Sequence, residues 1–194
     1  GIRAEVLYFV PLRTTAEVHR VTLKNTSKAA KSVKLFSFVE FCLWEASDDQ
    51  TNYQRNLSIG EVEVDGSAIY HKTEYRERRN HYAVHTVNAK VAGFDTDRES
   101  FFGLWNGFGE PQVVAEGKSR NSVASGWSPI GSHQLAVDLA PGEEKTFVFV
   151  LGYVENPVAE KWESPGVVNK KPARELVAGF QTAAQVDVAL VALR

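Results

Sequence analysis

The chain has 194 residues, 43% of them hydrophobic, with 22 basic against 24 acidic side chains and a formal net charge of −2. That length sets a single domain as the expectation, and the apolar share is enough for a buried core. The charge balance excludes a basic nucleic-acid footprint, one cysteine excludes an internal disulfide framework, and no apolar run approaches the roughly 18 residues of a membrane span.

No basic-then-apolar signal segment opens the chain, and a lone Cys42 fits a reducing, cytoplasmic compartment. The chain contains no methionine and begins Gly1-Ile2-Arg3, so it is expected to be a piece of something longer.

Residues 4–10 are β-branched and aromatic and stop at Pro11, which predicts a buried strand. Glu17 to Lys24 alternates, with Val21 and Leu23 on one face, and ends at the turn cluster Asn25-Thr26-Ser27. Val33 to Trp44 is the most apolar strand. It places Val33, Leu35, Val39 and Phe41 on one face and Phe36, Phe38 and Cys42 on the other. Two apolar faces predict either a central strand or a long one crossing the core, with Cys42 as a small core residue. Phe41, Leu43 and Trp44 are expected in that core.

Ser47-Asp48-Asp49 lacks the ligand spacing of a calcium loop. Two alternating runs then flank Asp65-Gly66, a strong hairpin signal. The polar tripeptide Gln54-Arg55-Asn56 stands at the hairpin's entry, and a mixed-charge run follows it. Three planar hydrogen-bonding side chains there suit a binding edge; the plain alternative is a solvated, salt-bridged face. His81 to Asn88 is another alternating strand. His71, His81 and His85 suggest a metal site, but no further ligand completes a set, so buried, hydrogen-bonded histidines and no metal are expected.

Residues 93–132 mix glycine with aromatics, as in Gly103-Leu104-Trp105-Asn106-Gly107-Phe108-Gly109. Such loops serve either as sugar-stacking or interface surfaces, or as plugs for the ends of a sandwich. His133 to Leu139 and Lys145 to Val154 are strands, the second apolar on both faces. Many short strands with no convincing helix between them predict an antiparallel sandwich. From Asn169 the period turns helical. Pro172 to Ala178 forms one helix, and Thr182-Ala183-Ala184-Gln185 is a capping box opening a second, with Val186, Ala189, Leu190 and Leu193 on one side. Nothing left in the chain is expected to cover that face.

Several stretches together resemble the N-terminal domain of cellobiose phosphorylases, inverting disaccharide phosphorylases. They are Val39-Glu40-Phe41-Cys42-Leu43-Trp44, Gln54-Arg55-Asn56 through Gly60-Glu61-Val62-Glu63, Tyr70 through His81, and Val150-Leu151-Gly152-Tyr153-Val154-Glu155-Asn156-Pro157. Gly93-Phe94-Asp95-Thr96-Asp97-Arg98 and Gly126-Trp127-Ser128-Pro129-Ile130 add to the match. Chitobiose and cellodextrin phosphorylases share much of this pattern.

The resemblance implies a mainly β fold, an antiparallel β-supersandwich over residues 1–156 with a C-terminal α-helical linker over 157–194, leading to an (α/α)6 catalytic barrel that this chain lacks. It implies phosphorolysis of a β-linked glucose disaccharide to α-glucose 1-phosphate and glucose, with inorganic phosphate as co-substrate and no cofactor. The catalytic acid would lie in the barrel, so no catalytic residue is expected here, and the chain alone should be inactive. It also implies a homodimer in which Gln54, Arg55 and Asn56 line the partner's active site. The alternative for Arg55 is a local pair with Asp48 or Asp49. No nucleic acid and no membrane are expected as partners. A second function class stays open, a stand-alone carbohydrate-binding or interaction module.

Overall fold

The computed structural model of the chain describes residues 1–41, 60–73, 80–124 and 128–193. In chain order these form β1 (Ile2–Phe9), β2 (Ala16–Asn25), β3 (Lys31–Phe36), β4 (Val39–Glu40), β5 (Gly60–Asp65), β6 (Ala68–Thr73), β7 (His81–Val87) and β8 (Gly93–Asp97). The helices α1 (Arg98–Phe102) and α2 (Gln112–Glu116) follow, then β9 (Pro129–Leu139), β10 (Glu144–Glu155), β11 (Trp162–Ser164) and β12 (Val167–Val168). Two helices close the chain, α3 (Lys171–Ala178) and α4 (Ala183–Val191).

One six-stranded sheet runs β1-β2-β10-β7-β6-β5, antiparallel throughout. In the second sheet β9 is central. β4 and β8 both pair with its first residues, so they lie on opposite edges. β3 continues the β4 edge. Phe36 pairs Gln134 and Val39 pairs Gly131, so the register is unbroken across Ser37 and Phe38.

The two sheets face each other, and side-chain alternation decides what meets between them. Val21, Leu23, Val87 and Phe149 pack against Leu135, Val137 and Leu139 of β9, with Val33 and Leu35 alongside. Further along, Phe41, Ile69 and Ala83 pack with Val39, Leu151 and Tyr153. The opposite face of the six-stranded sheet is apolar as well. Val18, Val148 and Val150 meet Phe180 and Val186 there, and Tyr82, Val84 and Val154 meet Val168 and Ala173. Strand β10 is therefore apolar on both faces because both are covered. The fold is mainly β and antiparallel, as expected.

Several local features depart from expectation. The strand begun at Val33 is long, but it is not central: among the described residues its only strand neighbour is β9. Its second face, Phe36 and Phe38, is covered by Phe101, Phe102 and Val113 of α1 and α2 instead. Those helices are themselves unforeseen inside the glycine-aromatic region. Asp97 caps α1 by accepting from the Ser100 backbone N–H at 2.7 Å. The strand over residues 4–10 is not buried. As β1 it is a sheet edge, with Val6 47% and Tyr8 61% exposed. β-branched and aromatic composition reports fit to a pleated surface, not depth.

The C-terminal helix also departs from expectation. Its expected face does have a cover: Val186 is fully buried, and Ala189 and Leu190 pack with it against Ala16, Val18, Val148 and Val150. Leu193 stays exposed. The predicted capping box is present, Gln185 N–H donating to Thr182 Oγ1 at 3.2 Å and Thr182 N–H to Gln185 Oε1 at 3.0 Å. The hairpin forms where expected, but Asp65 pairs Ala68, so its two-residue loop is Gly66-Ser67 with Gly66 at φ +60°. Cys42, Leu43 and Trp44 lie outside the described residues.

Candidate functional site

The sequence singles out Gln54, Arg55 and Asn56, and all three lie outside the described residues, as do Asp48 and Asp49. The structure does fix both points from which their segment, 42–59, departs. On one side β4 pairs β9 through Val39↔Gly131 and Glu40↔Ile130, and the Phe41 N–H faces the Pro129 carbonyl at 3.5 Å. On the other, Gly60 opens β5 opposite Thr73. The described residues that flank the segment therefore belong to different sheets.

Phe41 is the anchor of the first root. It is 6% exposed, packs on Ile69 and Ala83, and stacks on the His71 ring. Gly131 makes room for it. A Cβ there would lie 3.0 Å from Phe41 Cζ, 3.1 Å from Val39 Cγ2 and 3.2 Å from His85 Cδ2. Next to Phe41 the chain turns polar. Glu40 accepts a hydrogen bond from Arg98 Nε at 2.8 Å, and the Arg98 guanidinium lies over the Phe102 ring. At the second root Lys72, 4% exposed, pairs with Glu61 at 3.1 Å and lies over the Trp162 ring. Burying the ammonium while pairing it fixes the outer face of β5 and β6 at the base of the segment.

Beneath the anchor runs a seam of neutral imidazoles. His133 Nε2 donates to the Ser67 carbonyl at 2.9 Å, which leaves its Nδ1 to accept the Ser37 hydroxyl proton at 3.1 Å. Ser37 Oγ in turn accepts from His85 Nε2 at 3.2 Å and from the His133 backbone N–H at 3.0 Å. Burial pushes His71 and His133 down to about 4, and His85 well below its ordinary value with His133 adding to the effect. All three are uncharged at neutral pH. Their rings are buried between the sheets, and the His85–Ser37 and His133–Ser67 bonds tie one layer to the other. His81 stands apart, its Nδ1 hydrogen-bonded to the Tyr153 hydroxyl and its Nε2 3.4 Å from Glu155.

The aromatic side chains of the glycine-aromatic stretch differ sharply in burial. Phe101 and Phe102 plug the outer face of the second sheet, ringed by Phe38 and Phe108. Trp105 is 99% exposed. Both carry the same sequence signature, so only the fold separates the buried rings from the exposed one. The Arg98–Glu40 pair had no signal of its own in the sequence.

Residues 1–183 match the family described as "Glycosyl hydrolase 94, supersandwich domain". Among curated proteins, an N,N'-diacetylchitobiose phosphorylase of Vibrio proteolyticus is 29% identical, over 100% of this chain and 22% of its own length. A second, of Vibrio furnissii, is 26% identical over 100% of this chain and 22% of its length. A solabiose phosphorylase of Paenibacillus borealis is 27% identical over 98% of this chain and 25% of its length. The chain thus spans a quarter or less of these relatives. Their names carry chitobiose and solabiose, not cellobiose. Among the described residues, no helix is long and apolar enough to cross a membrane.

Proposed function

Because the chain belongs to the supersandwich domain family of glycosyl hydrolase 94, we propose that it is the non-catalytic sandwich portion of a cytoplasmic disaccharide phosphorylase. The observation that supports this most is the match over residues 1–183, with relatives that are disaccharide phosphorylases. In this reading residues 1–156 are the sandwich and 157–194 lead to a helical catalytic barrel. The complete enzyme splits a β-linked gluco-configured disaccharide with inorganic phosphate and needs no other cofactor. Cellobiose is the substrate proposed from the sequence motifs, with N,N'-diacetylchitobiose the alternative that the Vibrio relatives favour.

The contribution of this chain would be made by Gln54, Arg55 and Asn56, reaching the active site of a second subunit in a homodimer. Arg55 offers a planar, permanently charged fork for phosphate or a sugar diol, and the two amides donate and accept. The roots of segment 42–59 suit that role, since Phe41 locks one end and the buried Lys72 secures the strand at the other. The experiment is Arg55→Ala in the complete enzyme, assayed with cellobiose and with N,N'-diacetylchitobiose. Phosphorolysis should fall more than about tenfold, or about 1.4 kcal/mol of transition-state binding, with the dimer intact by sedimentation. Wild-type kinetics would overturn the role.

A further inference from the structure

Two adjoining hollows follow helix α1. The larger, about 750 Å³, is lined by residues including Ser100, Asn106, Gln112 and Arg120; the smaller, about 270 Å³, by Arg98, Trp105 and Ser128. Glu99, Gly103, Leu104 and Asn106 line both, so the two form one groove with Trp105 at its edge.

The groove combines three properties. Trp105 offers its whole ring to solvent, 99% exposed, and the backbone holds it at φ +69°. A bulky residue is rarely found in that left-handed region, and such strain persists only when the surroundings impose it. Next, the side chains of Glu99, Asn106 and Glu110 make no hydrogen bond or ion pair among the described residues, so planar donors and acceptors are free along the walls. Finally, the larger hollow carries Asp97, Glu99, Glu110 and Glu116 against Arg120 alone. That charge repels phosphate and other anions and admits neutral polyols.

An apolar plane beside free carboxylates and amides is what a sugar ring needs, since its C–H face stacks and its equatorial hydroxyls hydrogen-bond in the plane. We propose that this groove is a binding subsite for a neutral oligosaccharide whose rings are flat and all-equatorial, with Trp105 as the stacking platform. Its described lining comes from residues between Asp97 and Arg120 together with Ser128. A flat, ribbon-like chain lays successive rings along the groove. A curved α-linked chain cannot stay on one plane.

The test is a titration of this chain with cellotetraose at millimolar concentration, following the Trp105 indole N–H by NMR, with maltotetraose as the curved comparison. Cellotetraose should shift that resonance saturably, and maltotetraose should bind more weakly. Trp105→Ala should weaken cellotetraose binding roughly tenfold and Trp105→Phe far less, the order expected for losing one aromatic stack. Both substitutions are on an exposed loop, so a retained amide spectrum shows that the fold is intact. No shift with cellotetraose, or binding indifferent to Trp105→Ala, would overturn the proposal. So would Trp105-dependent self-association without sugar binding, which would assign the patch to a protein interface. The readout is binding and not turnover, so it stands or falls apart from phosphorolysis.

Discussion

Phe41 lies nearly parallel to His71, ring centroids 5.1 Å apart and planes 26° apart, across the gap between the two sheets. The pair ties the last described residue before segment 42–59 to strand β6. A neutral imidazole is the right partner here, since it stacks without bringing a charge into the core.

Phe41→Ala should therefore destabilise the chain by about 3–5 kcal/mol, the usual range for a buried aromatic truncated to a methyl group. Urea unfolding monitored by circular dichroism measures it. An unchanged midpoint would show that the root is not anchored this way.

The space for that ring is set by Gly131, whose Cβ would meet Phe41, Val39 and His85 together, all within 3.2 Å. Three packed neighbours cannot all give way at once. Gly131→Ala is expected to cost about 1–3 kcal/mol through overpacking. Combined with Phe41→Ala it should cost less than the sum of the two, because the second change vacates the contested volume.

The imidazole seam makes stability depend on pH in a defined direction. His71 and His133 are held near 4 by burial, against an ordinary value of 6.5. The unfolded chain thus binds more protons between those values. The contribution of these rings is complete above about pH 6.5 and is lost as pH falls towards 4, on the order of 3 kcal/mol for each. Denaturant midpoints between pH 7 and pH 4.5 should fall accordingly. His133→Gln should flatten the slope even though it lowers the starting stability. A midpoint flat over this range in the unaltered chain would contradict the buried, neutral assignment.

At the C-terminal end the capping box gives a smaller, local prediction. Thr182→Ala removes the acceptor of the Gln185 N–H and should cost about 1 kcal/mol, while Thr182→Ser should cost little. Hydrogen exchange of the first-turn amides of α4 is the direct readout, and unchanged protection would argue against the cap.

Much of this fold is legible in the sequence because alternation is legible. Spacing alone puts Val33, Leu35, Val39 and Phe41 on one face, and that face does meet the other sheet. The Thr182 box is legible because its two partners are three residues apart in sequence. What covers a second apolar face is not. Phe36 and Phe38 look the same in sequence whether a strand or a helix lies on them, and here α1 and α2 do. Those helices have five residues each, too short for a 3.6-residue period to show. β1 departs from its expected burial for a related reason, since edge and centre share one composition. At the candidate site, the sequence points to Gln54, Arg55 and Asn56, while the described residues give only the roots of their segment. The exposure of Trp105 has no local signal, because its neighbours Phe101 and Phe102 share its surroundings in sequence yet are buried.

The pairing that carries β3 into β4 has an evolutionary corollary. Lys31 faces Leu139 and Glu40 faces Ile130 on one count, with Ser37 and Phe38 passing through the interruption without gaining or losing a place. Inserting or deleting one residue there would exchange the destinations of Glu40 and Phe41. The carboxylate would turn inward beside the neutral histidines, and the ring outward towards Arg98. Segment 42–59 would then spring from the wrong side of its own strand. Length variation between such chains should accordingly spare the run from Lys31 to Phe41, which changes letters but never length.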